Sequence, residues 1–576
     1  MRLSSMTAPA IRDEDTNLVS RSPSPISDRR LLAWGLLASL LVGGFGLLAR
    51  QSMIDSGLSR PVVGSIFFRL YALHELPFLL LLVITTMLAA LVALRRPGAD
   101  AAASAEPVVS SPNMRMVALI ALAVLVCALA STYLVHHSLL FAMDEFTTEF
   151  QARIFASGRL EAKVPDAWRP IAPAMSPIFT NFHPDTGEWV SLYLPGYALL
   201  KAPFVLAGLG VLLNPLLTAA TVLAMAVVAR RLWPDERLRP WVAIAALVTS
   251  SQFILVSGTG YSMPAHLLLN LVWLWLYLRG DPRSWAGALA VGVLALGLHN
   301  PFPHALFVAP FMLRLLRDRR WGRLASAAIV YCADAALLMV WMKMVHPLAG
   351  EGGPGVLSVF RFPDVGALWL QLVHLTLLFA WQAPLVGALA IVGYVRARRT
   401  EPVLADLGLG VIVTLVFYAF FPLTQGHGWG YRYAHQILGN VFLLAAAGVP
   451  VLLGAMGARM GRALLVTSCA IALVVQLPLR LGQTESFVRP FAAGHAMIEQ
   501  QHADVVLVHG DSVWYGKDLI RNDPFLTGEP VVIYATMISP FGRMMLERAH
   551  PGRVVEIHDS QLIAAGMTPR TLRRTR

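Results

Sequence analysis

Residues 115–135 decide the fold class; they read RMVALIALAVLVCALASTYLV, and Arg115 is their single charged residue. A helix of about 20 residues spans roughly 30 Å, the thickness of the hydrocarbon layer of a bilayer. No water is present there to satisfy backbone N–H and C=O groups, so an apolar run of this length must be helical. The stretch therefore predicts a transmembrane helix.

Twelve other apolar runs predict transmembrane helices for the same reason. Hydrophobic residues make up 56% of the chain and charged residues only 14%, whereas about a quarter of an ordinary soluble domain is charged. The sequence thus predicts an all-α polytopic membrane protein with about 13 transmembrane helices, and it excludes a soluble multidomain enzyme. The other runs cover residues 31–49, 76–94, 214–230, 240–257, 262–278, 284–298, 302–316, 324–345, 366–395, 405–422, 436–457 and 463–479.

Basic residues collect in short clusters between these runs, which indicates cytoplasmic loops. The clusters are Arg29–Arg30, Arg95–Arg96, Arg230–Arg231, Arg314–Arg323, Arg396–Arg399 and Arg459 with Arg462. This pattern predicts a cytoplasmic N-terminus, provided that residues 195–213 lie in the interface or re-enter instead of spanning. It also explains the net charge of +12 without nucleic acid, because the basic residues form no single stripe.

Five regions follow from this topology. Residues 1–30 hold Ser, Pro and mixed charges and predict a disordered cytoplasmic tail. Helices are expected in 31–135 and 214–479, with a large external loop at 136–213 and an external α/β domain at 480–576. Pro184–Gly187 reads as a hairpin turn, and the three predicted strands of the last domain are Val505–Val508, Val531–Tyr534 and Val554–Ile557. The arginine-rich composition favours a bacterial inner membrane.

Asp144 and Glu145 come directly after the span at 115–135. Ionisable residues beside hydrocarbon are costly and are typically functional, and partial desolvation would make a carboxylate a better base. The residues alone fit equally well a solvated loop pair or the N-cap of the helix that follows.

A second candidate is the external loop at 425–435, which contains three glycines, Trp429, Tyr431, Arg432, Tyr433 and His435. Glycines let the backbone approach a ligand, aromatic rings stack on sugars, and an arginine binds phosphate through two N–H groups. An aromatic belt with a snorkelling arginine is the alternative, although a belt does not require the glycines.

Other polar residues lie near the predicted external ends of spans. His299, Asn300 and His304 form a proline-shaped turn that could bind a phosphate or a sugar, or could be structural. Lys201, Tyr193 and His266 could face the same cavity, although snorkelling explains them as well. Asp334 lies inside an apolar run, where a transporter would use it. The three cysteines, Cys127, Cys332 and Cys469, fall in apolar runs and indicate neither a disulfide nor a metal site.

Three segments together resemble the polytopic C-type (GT-C) glycosyltransferase superfamily, which includes protein O-mannosyltransferases and aminoarabinose transferases. They are Met143–Phe146 with Gly158, Trp189–Tyr197, and Gly430–Tyr433. The resemblance covers roughly residues 115–480. It implies that Asp144 is the catalytic carboxylate, with Glu145 as helper or substitute. The chain departs from the common pattern in two extra early spans and in Leu194-Pro195, where related sequences often have two prolines.

The predicted activity is inverting transfer of a sugar from a polyprenyl-phosphate donor to an acceptor lipid, glycan or protein outside the cytoplasm. Asp144 would act as the base, because the phosphate is already a good leaving group. The predicted phosphate-binding residues are Arg432, Tyr431, Tyr433, His435 and Lys201. The predicted sugar or acceptor residues are His299, Asn300, His304, Trp429, Tyr193 and His266. No cofactor is required and no metal ligands are assigned, although the resemblance allows a divalent metal. The alternatives are a lipid or solute transporter that uses Asp334 and a non-catalytic envelope assembly protein.

Overall fold

The computed structural model describes residues 27–61, 63–95, 112–345, 360–421 and 424–570. Most of the tail predicted at 1–30 lies outside these residues, and the first helix begins at Asp28. The N-terminal helices are α1 (Asp28–Asp55), α2 (Ile66–His74), α3 (Leu76–Arg95) and α4 (Met114–Ala130). A π-helical turn, Ser131–Val135, extends α4. Of these, α2 is a short helix that the apolar runs do not predict.

The segment after α4 contains three helices, α5 (Met143–Ala156), α6 (Ala172–Met175) and α7 (Gly196–Leu206), and three strands, β1 (Ala162–Lys163), β2 (Thr180–His183) and β3 (Glu188–Ser191). The antiparallel sheet has the order β1-β3-β2. His183 pairs with Glu188 across the turn 184–187, so the predicted hairpin is confirmed. Gly187 has φ +72°, a conformation that costs glycine little.

The helical core follows in fourteen described helices. They are α8 (Leu213–Leu232), α9 (Leu238–Val248), α10 (Ser251–Ser257), α11 (Met263–Arg279), α12 (Pro282–Leu296), α13 (Phe302–Arg317), α14 (Trp321–Val345), α15 (Val365–Ala380), α16 (Val386–Ala397), α17 (Pro402–Ala419), α18 (Leu438–Ala447), α19 (Val449–Met456), α20 (Ala458–Ile471) and α21 (Leu477–Glu499).

All thirteen predicted spans fall on helices, but not all of those helices are long. Eight of the described helices are long and apolar enough to cross a bilayer, and the pair α9 and α10, bent by 54°, would make nine. The bend lies at Ser250, whose hydroxyl accepts a hydrogen bond from the N–H of Phe253 and so caps α10. The single span predicted at 366–395 is wrong, because residues 381–385, which include Pro384, separate α15 from α16.

Membrane helices differ from soluble ones in the side chains that they expose. Leu41 and Leu48 on α1 and Ile329 and Leu337 on α14 are each at least 65% exposed, which suits contact with lipid and would be costly in water. Inside the core, a Cβ added at Gly393 of α16 would overlap the carbonyl group of Leu444 in α18. This glycine therefore allows the two helices to pack closely, as small residues do in membranes.

The C-terminal part forms the predicted small α/β unit. Its strands, β4 (Val505–Val508), β5 (Val531–Tyr534) and β6 (Val554–Ile557), form a parallel sheet of order β5-β4-β6. Two helices accompany them, α22 (Pro540–Ala549) and α23 (Asp559–Ala564). The strand predictions are confirmed. Helix α21 continues through residue 480, where the sequence suggests a domain boundary, and ends at Glu499.

This unit packs against the segment that follows α4, and the two together, residues 136–212 and 500–570, are called the cap below. Met175 packs in one apolar cluster with Val505 and Leu507 of β4. The indole N–H of Trp189 donates to the carbonyl of Pro524 at 2.8 Å, and the Asn522 side chain donates to the carbonyl of Met175 at 2.8 Å. The guanidinium of Arg521 donates to the carbonyls of Leu140 and Phe141 at 2.7 and 2.9 Å, so the chain between β4 and β5 lies close to the start of α5.

A buried ion pair joins the N-terminal helices to α21. Both oxygens of Glu75 accept hydrogen bonds from Arg480, each at 2.7 Å. The guanidinium lies between the rings of Phe78 and Trp381, at 3.4 and 3.8 Å from their centroids. Because both carboxylate oxygens are bound and the guanidinium also lies against two rings, the pair fixes how α2 and α3 sit against the core.

Candidate functional site

Asp144 is the second residue of α5, and its carboxylate is held from two sides. The hydroxyl of Tyr193 donates to Oδ1 at 2.6 Å, and Nη1 of Arg432 lies 3.1 Å from Oδ2. Burial by itself would raise the pKa of Asp144, but Arg432, His299 and the Tyr193 hydroxyl together lower it below its ordinary value. Asp144 is therefore an anion, and its side chain is only 19% exposed, unlike the solvated loop pair of the alternative.

Arg432 is placed by its own set of contacts. Its Nη1 donates to the Tyr261 hydroxyl at 2.8 Å, and the guanidinium lies 4.9 Å from the Tyr261 ring centroid. Its backbone N–H donates to Gln425 at 2.8 Å. Gly430 makes this loop possible, because its φ is +80° and an added Cβ would collide with the side chain of Gln252.

These residues line a cavity of about 600 Å³. Apolar side chains such as Met263, Pro303 and Phe421 line the cavity together with these polar groups. Of the residues predicted as a site, the cavity brings together Asp144, Tyr193, His266, His299, Asn300, Arg432 and Tyr433. It does not include Glu145, Lys201, His304, Trp429, Tyr431 or His435 among its lining residues.

Glu145 turns away from the cavity that Asp144 lines. It is 1% exposed, and its two oxygens accept the backbone N–H groups of Ala142, at 3.2 Å, and Gly260, at 2.6 Å. Burial raises its pKa to about 7, although these hydrogen bonds oppose the shift. The carboxyl group connects the start of α5 to the loop before α11, which is a positioning role.

Lys201 is bound elsewhere as well. Its Nζ lies 2.8 Å from Glu149, and it lines a second cavity of about 680 Å³ together with Arg153, Glu499 and Arg521. This second cavity lies on the other side of α5 from Asp144. Lys201 and Arg432 therefore line different cavities.

The remaining predicted residues have structural partners within the core. The Tyr431 hydroxyl donates to Gln371 at 2.9 Å, and its ring stacks on His374. His304 is hydrogen bonded to Asn270 at 2.8 Å, and Gln252 lies 3.5 Å from Nδ1 of His435. Trp429 packs edge-on against Phe487. These side chains support the loop at 425–435 without reaching its cavity.

His299 and His427 contribute neutral imidazoles to the cavity. Burial lowers the pKa of His299 to about 4 and that of His427 to about 3. The His299 ring lies 3.9 Å from the Tyr193 ring, and Nε2 of His427 lies 3.1 Å from the Tyr261 hydroxyl. Both rings therefore act as hydrogen-bonding groups and not as cations at neutral pH.

The lining residues that were not predicted as site residues include Tyr261, His427, Tyr515 and Asp518. His427 lies in the glycine-rich loop at 425–435, which the sequence already marks as a candidate. Tyr261 lies directly before the span predicted at 262–278. Tyr515 and Asp518 come from the cap, and no sequence motif marks them. Burial, together with the charge of Asp144, raises the pKa of Asp518 to about 7 although Arg521 opposes this. The cavity thus contains two carboxyl groups: Asp144, which is ionised at neutral pH, and Asp518, which titrates near neutral pH.

Asp334, the residue on which the transporter alternative rests, is not part of this cavity. It is buried in α14, and within the described part of the chain its Oδ2 has no hydrogen-bond partner. The divalent metal that the resemblance allows stays a prediction.

No protein-family model matches the chain, and no curated protein matches it. Among solved structures, the chain is similar to the aminoarabinose transferase ArnT from Cupriavidus metallidurans bound to undecaprenyl phosphate, with 15% identity and a TM-score of 0.51 over 77% of this chain and 90% of that one. For apo ArnT the identity is 14% and the TM-score 0.49, over 78% and 90% of the two chains. For the oligosaccharyltransferase AglB from Archaeoglobus fulgidus the identity is 13% and the TM-score 0.41, over 73% of this chain and 65% of that one.

The likeness to undecaprenyl-phosphate-bound ArnT extends over most of both chains and identifies the fold. The long apolar helices agree with it. The resemblance inferred from three short segments is thus confirmed at the level of the fold. The chain is an integral membrane protein with the fold of the polytopic GT-C glycosyltransferases.

Proposed function

We propose that this protein transfers a sugar from a polyprenyl-phosphate donor to an acceptor hydroxyl or amine, with Asp144 as the base and Arg432 as the phosphate-binding residue. The observation that carries the proposal is the meeting of these two side chains, 3.1 Å apart, in one cavity. The acceptor end of the reaction needs a base, and the donor end needs a cation. This cavity contains both groups side by side.

The chemistry requires little else. Attack of the acceptor on the anomeric carbon forms one glycosidic bond and breaks the bond to the phosphate oxygen, which leaves with the electron pair. Asp144 takes the acceptor proton, and Arg432 stabilises the charge on the departing phosphate. Direct displacement of this kind inverts the anomeric configuration.

Without donor, Arg432 is already bound to Asp144, and this state has a functional consequence. A phosphate accepts hydrogen bonds from a guanidinium through two oxygens and competes with the carboxylate for it. When the donor binds, Asp144 loses its nearest cation, so its pKa rises and it becomes a stronger base. The donor therefore activates the base, and it binds before the acceptor.

Two further observations support a lipid-linked donor. A solved structure that shares this fold was obtained with undecaprenyl phosphate bound. In addition, the cavity lining contains apolar side chains as well as Asp144 and Arg432, which suits an isoprenoid chain attached to a charged headgroup. In the proposed topology the N-terminus is cytoplasmic and the cap faces the periplasm or exterior of a bacterial inner membrane.

The test is transfer of labelled sugar in membranes that contain the full-length protein. The donors are undecaprenyl phosphate carrying a labelled hexose, pentose or amino sugar, and the product is followed by its separation from the donor lipid. Asp144→Asn and Arg432→Gln are expected to abolish transfer. Asp334→Asn is the matched control, a buried carboxylate outside the cavity, and is expected to retain it.

The same experiment separates the alternatives. Full transfer in Asp144→Asn and Arg432→Gln would end the proposed mechanism. Flux of lipid across the membrane that is lost in Asp334→Asn, with no covalent product in any variant, would indicate a transporter. Removal of the C-terminal part does not distinguish a transferase from an assembly protein. Tyr515 and Asp518 line the cavity, so a transferase would also lose its function in such a deletion.

A further inference from the structure

Three metal-binding side chains converge at the carboxyl edge of the parallel sheet in the cap. His509 follows β4 directly, Glu556 lies in β6, and His558 follows β6. Nε2 of His509 lies 2.9 Å from Oε2 of Glu556, and Nε2 of His558 lies 3.8 Å from the same oxygen. The two imidazole rings stack with their centroids 4.7 Å apart.

We propose that His509, Glu556 and His558 bind one zinc ion through two imidazole nitrogens and one carboxylate oxygen. Zinc prefers four ligands in a tetrahedron at about 2.0–2.2 Å, which places neighbouring ligand atoms roughly 3.3 Å apart. The distances of 2.9 and 3.8 Å lie on either side of this value. All the candidate ligand atoms lie within 4.8 Å of one another, and rotation of the two stacked rings toward Oε2 would bring the three donors to one ion.

The surroundings fit a metal site better than an isolated ion pair. Arg543 binds Oε1 of Glu556, so it orients the carboxylate and leaves Oε2 for the ion. His558 is more than half exposed and His509 about a quarter, which gives zinc a path of entry. Three protein ligands leave a fourth position for water or an anionic group.

The site lies where the cap is connected to the cavity. The chain that leaves β4 at His509 passes through Gly510 and Gly516 and then reaches Asp518, which lines the cavity. A Cβ added at Gly516 would overlap the carbonyl of Gly510, so this loop closes tightly on itself. Zinc would fix β4 to β6 at the root of the loop and hold Tyr515 and Asp518 in place.

Zinc binding by the full-length protein in detergent tests the proposal. The protein is purified with a tag free of histidine, stripped with chelator, and equilibrated against micromolar buffered zinc before metal analysis. Wild type is expected to bind about one zinc, with an affinity that falls more than about 100-fold in His558→Gln and His509→Gln, because even the loss of an outer-shell partner costs about 10- to 100-fold.

His550→Gln is the matched control, since His550 lies in the same unit and pairs with Asp504 at 2.8 Å without a second histidine. It is expected to bind zinc like wild type. Cobalt absorption in the visible range gives a second measurement, with a tetrahedral spectrum in wild type that is absent from His558→Gln. Zinc uptake by His558→Gln equal to wild type, or no uptake by wild type, would overturn the proposal.

Discussion

Oδ2 of Asp144 and Nη1 of Arg432 lie 3.1 Å apart, although one residue begins α5 and the other follows the glycine-rich loop far along the chain. Each is also held by a tyrosine, Asp144 by Tyr193 and Arg432 by Tyr261. The base and the cation are therefore set in place before any substrate arrives. The two tyrosines can keep these groups in position when the donor phosphate separates the pair.

Arg432→Lys should reduce the efficiency with which the enzyme uses its donor. Lysine keeps the charge but cannot present two parallel N–H groups to a phosphate, nor lie flat on the Tyr261 ring. We expect kcat/KM for the donor to fall about 100-fold. Steady-state transfer at varied donor concentration measures this, and an unchanged kcat/KM would show that Arg432 does not contact the phosphate.

Asp518 should give donor binding a pH dependence near neutrality. Its pKa is about 7, so it is neutral below this pH and becomes a second anion beside Asp144 above it. A negative charge there opposes a phosphate, so KM for the donor should rise as pH increases from about 6 to about 8. Asp518→Asn should show a flat profile over this range. The same slope in the variant would assign the titration to another group.

Glu145→Gln separates a positioning role from a catalytic one. Glutamine has one side-chain oxygen, so one of the N–H groups of Ala142 and Gly260 faces an NH₂ group. We expect a loss of about 1–3 kcal/mol in the free energy of unfolding, with kcat of the folded protein within a few-fold of wild type. Thermal unfolding in detergent, with activity normalised to folded protein, measures both; a loss of kcat comparable to Asp144→Asn would contradict this role.

The pKa of Glu145 also predicts how stability depends on pH. Folding raises this pKa to about 7 from an ordinary 4.5, so between these values the folded state holds a proton that the unfolded state has released. Stability contributed by this group therefore falls as pH rises from about 4.5 to about 7. The difference in unfolding temperature between wild type and Glu145→Gln should shrink over this range, and a widening difference would refute the assignment.

The Glu75–Arg480 pair should show strong coupling. Removing one partner leaves a buried charge, so Glu75→Gln and Arg480→Met should each destabilise by about 3–5 kcal/mol. The double variant should recover part of that loss, because neither charge is then left alone. Unfolding measurements on all four proteins complete the cycle, and additive effects would show that the two residues do not interact energetically.

The sequence predicts best those features that depend on local patterns. The runs of valine at 505–508, 531–534 and 554–557 are strands because β-branched residues suit a buried sheet, and Asp144 stands out because it is charged beside hydrocarbon. Lys201 looks equally suitable, but its partner Glu149 lies on α5, and only the packing of α7 on α5 shows it. Asp518 enters the cavity through the fold of the cap, which no local pattern encodes.

The most direct test of the central claim is a single-turnover measurement of sugar transfer by purified protein at saturating polyprenyl-phosphate donor. Loss of a general base typically costs about 10²- to 10⁴-fold in rate. We expect Asp144→Asn to lose at least this much while it binds the donor at least as tightly as wild type, because the carboxylate no longer competes for Arg432, and Asp334→Asn to transfer at the wild-type rate. Transfer by Asp144→Asn at the wild-type rate would contradict the account.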